Sequence, residues 1–147
     1  MRTRPRALAA AVALALGAQL TAGCSHSPPD ATPDGALRLF LDDLEVAEDD
    51  GQMMKRAYEL LGPTARANLT ERAHRVRELQ GRQVQAWEML ASGRLGLAFR
   101  PKTMRSSIVG DRATVEVIGA EPATEHASVV CVRDGEAWRI EPGLPDP

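Results

Sequence analysis

Few side chains of this 147-residue chain combine nucleophilic or acid–base chemistry with a suggestive position. Cys24 directly follows the small residues Ala22 and Gly23, which a narrow peptidase cleft would accept, so the cysteine marks a candidate processing site. Cys131 instead lies within the apolar run 129–132, which predicts a buried thiol that packs as a small hydrophobe. Once Cys24 is modified, no disulfide can join the two cysteines, and the fold must be stable without one.

The segment before Cys24 has the organisation of an export signal. Residues 2–6 carry three arginines and no acid, and residues 7–20 are apolar apart from Gln19. This run of 14 residues is shorter than the ~20 that a bilayer-spanning helix needs. We therefore expect a signal peptide that is removed, rather than a permanent transmembrane helix.

The sequence Leu20-Thr21-Ala22-Gly23-Cys24-Ser25 resembles the bacterial lipobox. The resemblance implies a signal peptide at residues 1–23, cleavage before Cys24 and lipid on the Cys24 sulfur. One position departs from the usual pattern, because Thr21 stands where the lipobox has leucine. The alternative is an ordinary secretory signal that is cut near Ala22 or Gly23 and leaves a soluble protein.

Anchor and charge together restrict the expected partners. Removing the three signal arginines leaves 15 of the 18 basic residues against 20 acidic ones, a net charge of −5 that disfavours nucleic acid. The expected partners are the membrane, through lipid on Cys24, and an envelope protein or a small apolar ligand. The predicted location is the cell membrane or outer membrane, facing the periplasm or the exterior. Ser25 does not decide between the two membranes, because sorting rules differ among bacterial lineages.

Behind the signal we predict a lipidated N-terminus with a flexible tether at 24–33 and a single domain at 34–147. The tether is polar and contains three prolines, and Thr32-Pro33-Asp34 is a helix-start signal. Three helical stripes follow: Leu37, Phe40, Leu41, Leu44 and Ala47, ending at Asp50-Gly51; residues 53–61; and Leu69, Ala73, Val76 and Leu79 within residues 64–80. Residues 83–92 fit neither period clearly and are interpreted as a short helix.

Beyond residue 92 the hydrophobic period changes to two, which predicts strands. Alternation appears at Leu95, Leu97 and Phe99, around residues 113–117 and at 137–140, and the apolar run 129–132 is a further strand, with turns at Gly110-Asp111 and Arg133-Asp134-Gly135. The expected fold class is α+β, with N-terminal helices packed on a curved, cone-like antiparallel sheet of about four strands.

Three segments carry a further resemblance: residues 36–44 (ALRLFLDDL), 58–63 (YELLGP) and 134–140 (DGEAWRI). Their order is similar to that of the nuclear-transport-factor-two-like (cystatin-like) superfamily, and in particular its small bacterial lipoproteins of unknown function. The likeness covers about residues 33–141. It implies a bent sheet that wraps helices and leaves a pocket at its wide end, which some members use for small ligands or catalysis.

Candidate functional residues inside the domain are sparse. Catalytic relatives place an aspartate or histidine base opposite a tyrosine or second acid, and here Tyr58, His74 and His126 are not paired by spacing. The acidic run from Asp42 to Asp50 does not match a calcium loop, and the arginines of residues 72–82 alternate with acids, so both predict solvated helix faces. No catalytic residue, metal ligand or cofactor is therefore predicted.

The bulky side chains Tyr58, Trp87 and Trp138 are the candidates for lining a pocket; core packing is favoured for Tyr58 and Trp138, and Trp87 stays open between the two. The expected function is a membrane-anchored, non-enzymatic binding or scaffold module of the cell envelope. The alternative is a small isomerase-like or hydrolase-like enzyme that uses the cone pocket.

Overall fold

The computed structural model describes residues 27–47, 50–90 and 97–147. The predicted signal peptide and Cys24 lie outside these residues. The elements, in chain order, are the 3₁₀ helix Pro29–Ala31, α1 (Pro33–Val46), α2 (Gly51–Glu59), α3 (Pro63–Gln80), the 3₁₀ helix Ala86–Leu90, β1 (Thr103–Val109), β2 (Arg112–Ile118), β3 (His126–Asp134) and β4 (Ala137–Glu141). Three α-helices followed by four strands confirm the predicted α+β class.

The strands form an open antiparallel sheet in the order β1-β2-β3-β4. Two-residue turns join β1 to β2 and β3 to β4, and each begins with a glycine at positive φ, 60° at Gly110 and 64° at Gly135. A glycine at the first turn position matches the twist of the flanking strands without a Cβ clash. Both turns were predicted from the sequence.

The hydrophobic core lies between the helices and one face of the sheet. Alternation places Val115 and Val117 of β2, Cys131 of β3, and Trp138 and Ile140 of β4 on that face, all at most 1% exposed. From the helices, the buried apolar residues are Ala36, Leu37, Phe40, Ala57, Leu60, Leu61, Ala65 and Leu69. Burial, and next the negative charge of Asp34, raise the pKa of the Cys131 thiol to about 11, which makes it a poor nucleophile.

Helix starts follow the polar residues of the sequence, with one difference from prediction. Thr32 accepts a hydrogen bond from the Gly35 N–H at 3.2 Å and caps α1, as expected. Asp50 accepts from the Gln52 N–H at 2.8 Å and caps α2. The pair Asp50-Gly51, which was predicted to end the first helix, therefore begins the second, because an aspartate before a glycine can serve either signal.

Two further expectations are wrong in part. Leu79, assigned to the apolar face of the third helix, is 85% exposed, because the buried residues of α3 end at Ala73. Leu97 and Phe99, assigned to an alternating strand, lie in an irregular segment before β1, and Leu95 falls outside the described residues. Period-two alternation over three positions was too short to distinguish a strand from an extended loop.

A main-chain bridge joins the last strand to the turn between α2 and α3. The Ile140 N–H donates to the Leu60 carbonyl at 2.9 Å, and the Gly62 N–H donates to the Ile140 carbonyl at 2.7 Å. The next side chain, Glu141, accepts from the N–H groups of Thr64 and Ala65 at 2.9 and 3.0 Å. A carboxylate from the sheet thus caps the first turn of α3, where the helix dipole favours negative charge.

The folded unit also begins earlier than the predicted boundary at residue 34. Residues 29–31 form a 3₁₀ helix against α1 and β4, and Asp30 pairs with Arg139 at 2.7 Å with both side chains about one fifth exposed. Pro33 is fully buried. The sequence of this segment contains little to bury, so only the distant arginine on β4 identifies it as part of the fold.

Replacing Glu141 should expose the importance of the cap. We expect Glu141→Ala to lower the free energy of unfolding by about 1–2 kcal/mol, because two helix N–H groups lose their acceptor. Glu136→Ala, at an exposed glutamate in the β3–β4 turn, is the matched control and should change it by less than ~0.5 kcal/mol. Urea unfolding followed by circular dichroism measures both, and equal losses would contradict the capping role.

Candidate functional site

A groove runs along one flank of α1, which we call the α1 groove. One part of it is a cavity of about 240 Å³ between α1 and the sheet where β4 ends. Apolar side chains line most of it: Leu37, Phe40, Leu41, Leu97, Val129 and Ile140. Cavities of this size and lining hold a single ring or a short alkyl chain, since even ~150 Å³ of apolar space accepts benzene.

The groove opens toward the segment before β1 and becomes polar at its rim. Two further hollows of about 250 and 460 Å³ share Leu41 and Glu45 with each other, and Leu41 also lines the 240 Å³ cavity. Arg38, Asp42 and Lys102 border the smaller hollow, and Arg100 forms an ion pair with Glu45 beside the larger one. An apolar floor with charges at its edge suits an apolar ligand that carries a polar end.

The structure does not bring the three predicted pocket-lining residues to this groove. Trp138 is 1% exposed in the core, with the Arg133 guanidinium 4.7 Å from its ring centre. Tyr58 is half-buried on α2, and its hydroxyl lies 3.5 Å from the Thr70 hydroxyl. Trp87, also half-buried, packs beside the start of α2.

The histidines are separated from one another and from the groove. His74 lies exposed on α3, 3.5 Å from Glu78, and His126 is exposed at the start of β3. Within residues 27–47, 50–90 and 97–147, no group of three or more His, Cys, Asp or Glu side chains could hold a metal ion. In the same ranges no helix is both long and apolar enough to cross a bilayer.

The arginines of α3 make local contacts. Arg72 donates to Asn68 and to the Pro145 carbonyl at 2.7 Å each, and Arg75 donates to Glu71 at 3.3 Å and to the Pro147 carbonyl. These bonds hold residues 145–147 along the helix. The pairing expected from the alternating charges is present for Arg75.

The acidic run divides among different roles. Asp50 caps α2, Asp42 and Glu45 border the α1 groove, and Asp43 turns inward. The Asp43 side chain is 7% exposed, with Oδ1 3.2 Å from Arg56 on α2, and its Oδ2 has no hydrogen-bond partner among the described residues. Burial raises the pKa of the Asp43 carboxyl; Arg56 opposes this shift and the charge of Asp42 adds to it.

Sequence reasoning missed both Asp43 and the groove. Asp43 stands among other acids and follows the spacing of the buried residues Ala36 and Phe40, a signal that could have singled it out. The groove had no comparable signal, because Leu41, Val129 and Ile140 come from separate elements. They come together only because α1, β3 and the end of β4 pack side by side in the folded domain.

Asp43 should make stability depend on pH. Its pKa is raised in the folded state, so the proton stabilises the fold: this contribution is complete below the unfolded pKa of ~3.9 and is lost as pH rises through the folded value. We expect the free energy of unfolding of Asp43→Asn, relative to wild type, to increase as the pH rises from 4 to 7, because only the wild type loses this contribution. Urea titrations across that range measure it.

Glu59→Gln is the matched control, since Glu59 is an exposed acid on α2. It should show no comparable pH-dependent difference from wild type. A flat difference for Asp43→Asn as well would contradict a buried carboxylate at this position.

We compared the chain with known protein families, curated proteins and solved structures. No family model, no curated protein and no solved structure matches this chain.

Proposed function

We propose that this chain is a lipid-anchored protein of the bacterial cell envelope whose folded domain is a non-enzymatic binding module. The observation that carries the binding role is the apolar cavity of the α1 groove, which is of a size to take a ring or short alkyl chain. Its occupant is a small apolar ligand or an apolar side chain of an envelope protein. The anchor rests on the lipobox-like residues 20–25.

The lining of the groove supports binding rather than catalysis. Two carboxylates of the groove are already engaged: Glu45 at the rim is paired with Arg100, and Glu141 beside the cavity accepts from the N–H groups of Thr64 and Ala65. The candidate acid–base residues Tyr58 and His74 instead have neighbours on α3. An enzyme of the isomerase or hydrolase type needs an acid and a base that converge on one substrate position.

The short connection to Cys24 supports a role at the membrane surface. The first helical element of the domain starts at Pro29. The chain from Cys24 to that residue therefore spans at most about 17 Å at ~3.4 Å per residue. This is less than the reach expected for a tether that continues to residue 33. The module would therefore remain beside the headgroups, where apolar ligands and other anchored proteins are concentrated.

The nuclear-transport-factor-two-like resemblance remains part of the proposal. Helices that precede an antiparallel sheet and pack on one face of it agree with the implied element order. The α1 groove would correspond to the space between helices and sheet where that superfamily places its pocket. The proposed binding and anchoring do not depend on this resemblance. They rest on the α1 groove and on Cys24, and would hold for a module of another α+β family.

Lipidation can be tested directly. We expect wild-type protein extracted from membranes to carry lipid mass on Cys24 and to resist salt extraction, because two or more buried acyl chains make anchoring stable. Cys24→Ala should retain its signal or become soluble. Intact mass spectrometry with fractionation measures both, and release of both proteins at one unlipidated mass would rule out the anchor.

Groove binding can be tested with an apolar fluorescent probe such as 8-anilinonaphthalene-1-sulfonate. We expect the Cys24→Ser chain to bind it and Leu41→Gln to weaken binding by about tenfold, because Leu41 lines all three hollows. Leu39→Gln is the matched control, since Leu39 is equally half-buried on α1 and lines none of them. Equal effects of the two substitutions would mean that the probe binds elsewhere.

A further inference from the structure

The two edges of the sheet differ in whether their main-chain groups are paired. The outer edge of β4 is occupied at Ile140 by the main chain of residues 60–62. β1, at the opposite edge, pairs with β2 through all seven of its residues, and no strand of the described part of the chain pairs with its other side. An open edge presents unpaired N–H and C=O groups to any chain that can align with it.

The turn that follows β1 determines which main-chain groups face this edge. A two-residue turn closes on a hydrogen-bonded pair, here Val109 with Arg112, and such pairs alternate along an antiparallel ladder. The groups of Thr103, Arg105, Ser107 and Val109 are therefore directed toward β2. Those of Met104, Ser106 and Ile108 point outward from the sheet.

The side chains of β1 do little to protect the edge. Natural edge strands are shielded by charges, proline or bulges, yet β1 contains one charged residue, Arg105, and no proline. Ile108 is 51% exposed and Val109 is 79% exposed, two of the four large exposed hydrophobics of the described residues. The exposed apolar surface and the open main-chain edge thus coincide.

We propose that the β1 edge is an interface for a second copy of this chain, with the two β1 strands antiparallel across a twofold axis at Ser106. This register is the one that pairs all seven residues while placing outward-directed groups opposite each other. It makes Ser106 face Ser106 of the other copy. Shifting the axis to Met104 or Ile108 would leave part of each strand beyond the end of its partner.

The strand is complementary to itself in this register. Met104 of one copy lies opposite Ile108 of the other on the inner face, and Thr103 lies opposite Val109 on the outer face. Arg105 faces Ser107, so no like charges stand directly opposite, which would be destabilising. The two copies of Arg105 are diagonal neighbours, and each has Glu116 opposite it on its own β2, which offsets the repulsion.

The symmetry also agrees with attachment to one membrane, which rests on the anchor proposed above. A twofold axis between antiparallel strands of one sheet is perpendicular to that sheet, so both helical layers lie on the same face. The dimer would form a continuous eight-stranded sheet. Its remaining edges are the two β4 strands, each occupied at Ile140 by its own residues 60–62.

The first test is sedimentation equilibrium of the mature Cys24→Ser chain. We expect a concentration-dependent monomer–dimer equilibrium, and Ser106→Pro should weaken Kd by about tenfold or more, because the outward N–H is removed. Its melting temperature, extrapolated to low concentration, should stay close to that of the starting protein. A chain that remains monomeric at high concentration, or a proline variant that dimerises equally well, would overturn the proposal.

A charge pair tests the register itself. Thr103→Glu and Val109→Lys change exposed side chains that the proposal places opposite each other, so the double variant should dimerise more tightly than Val109→Lys alone. Raising salt should remove that gain. Thr103→Lys with Val109→Lys places like charges opposite each other in this register and should dimerise more weakly than Val109→Lys alone; a gain equal to that of the glutamate variant would overturn the proposed pairing. The Cys24 chemistry plays no part in either readout, so failure of the anchor would leave this test intact.

Discussion

The fold depends on the bridge between β4 and residues 60–62. This last strand completes the sheet and places Trp138 and Ile140 in the core. It also forms two main-chain hydrogen bonds with a segment almost 80 residues earlier in the chain. The adjoining carboxylate of Glu141 then caps α3. A Cβ at Gly62 would lie 2.3 Å from the Glu141 carboxylate oxygen, so a larger residue there would displace the capping side chain. Helical layer and sheet are thus joined by backbone pairing as well as by apolar contact.

The helical layer is narrower than the sheet, and this mismatch creates the two candidate surfaces. α1 packs mainly against β4 and less extensively against both β2 and β1. On one flank the uncovered strip beside Leu41 and Val129 becomes the α1 groove. Farther out, the inner-face residue Ile108 of β1 remains half exposed. A wider layer would have filled both, so the binding and self-association proposals derive from one architectural feature.

The ion pair between Asp43 and Arg56 helps to orient α1 relative to α2, but it requires the Asp43 carboxylate to lose its hydration. The carboxylate reaches Arg56 across the α1–α2 interface, but one oxygen lacks a partner and the arginine is half exposed. A buried ion pair of this kind contributes little net stability, since desolvation offsets the attraction. It does favour one alignment of the two helices, because any other would leave a buried charge unpaired.

The sequence by itself determined the local features of the described fold: three helices with the Thr32 cap, the glycine turns, and the alternation that makes 113–117 and 137–140 strands. These follow from interactions over a few residues. Tertiary structure alone decided that Asp50-Gly51 starts a helix, that residues 29–31 belong to the fold through Arg139, and that Trp138 fills the core while Leu41 lines a groove. The physical reason is that each depends on a partner distant in sequence. The spacing of residues along the chain does not specify which distant residues meet. That is decided only when the strands pair and the helices pack on the sheet.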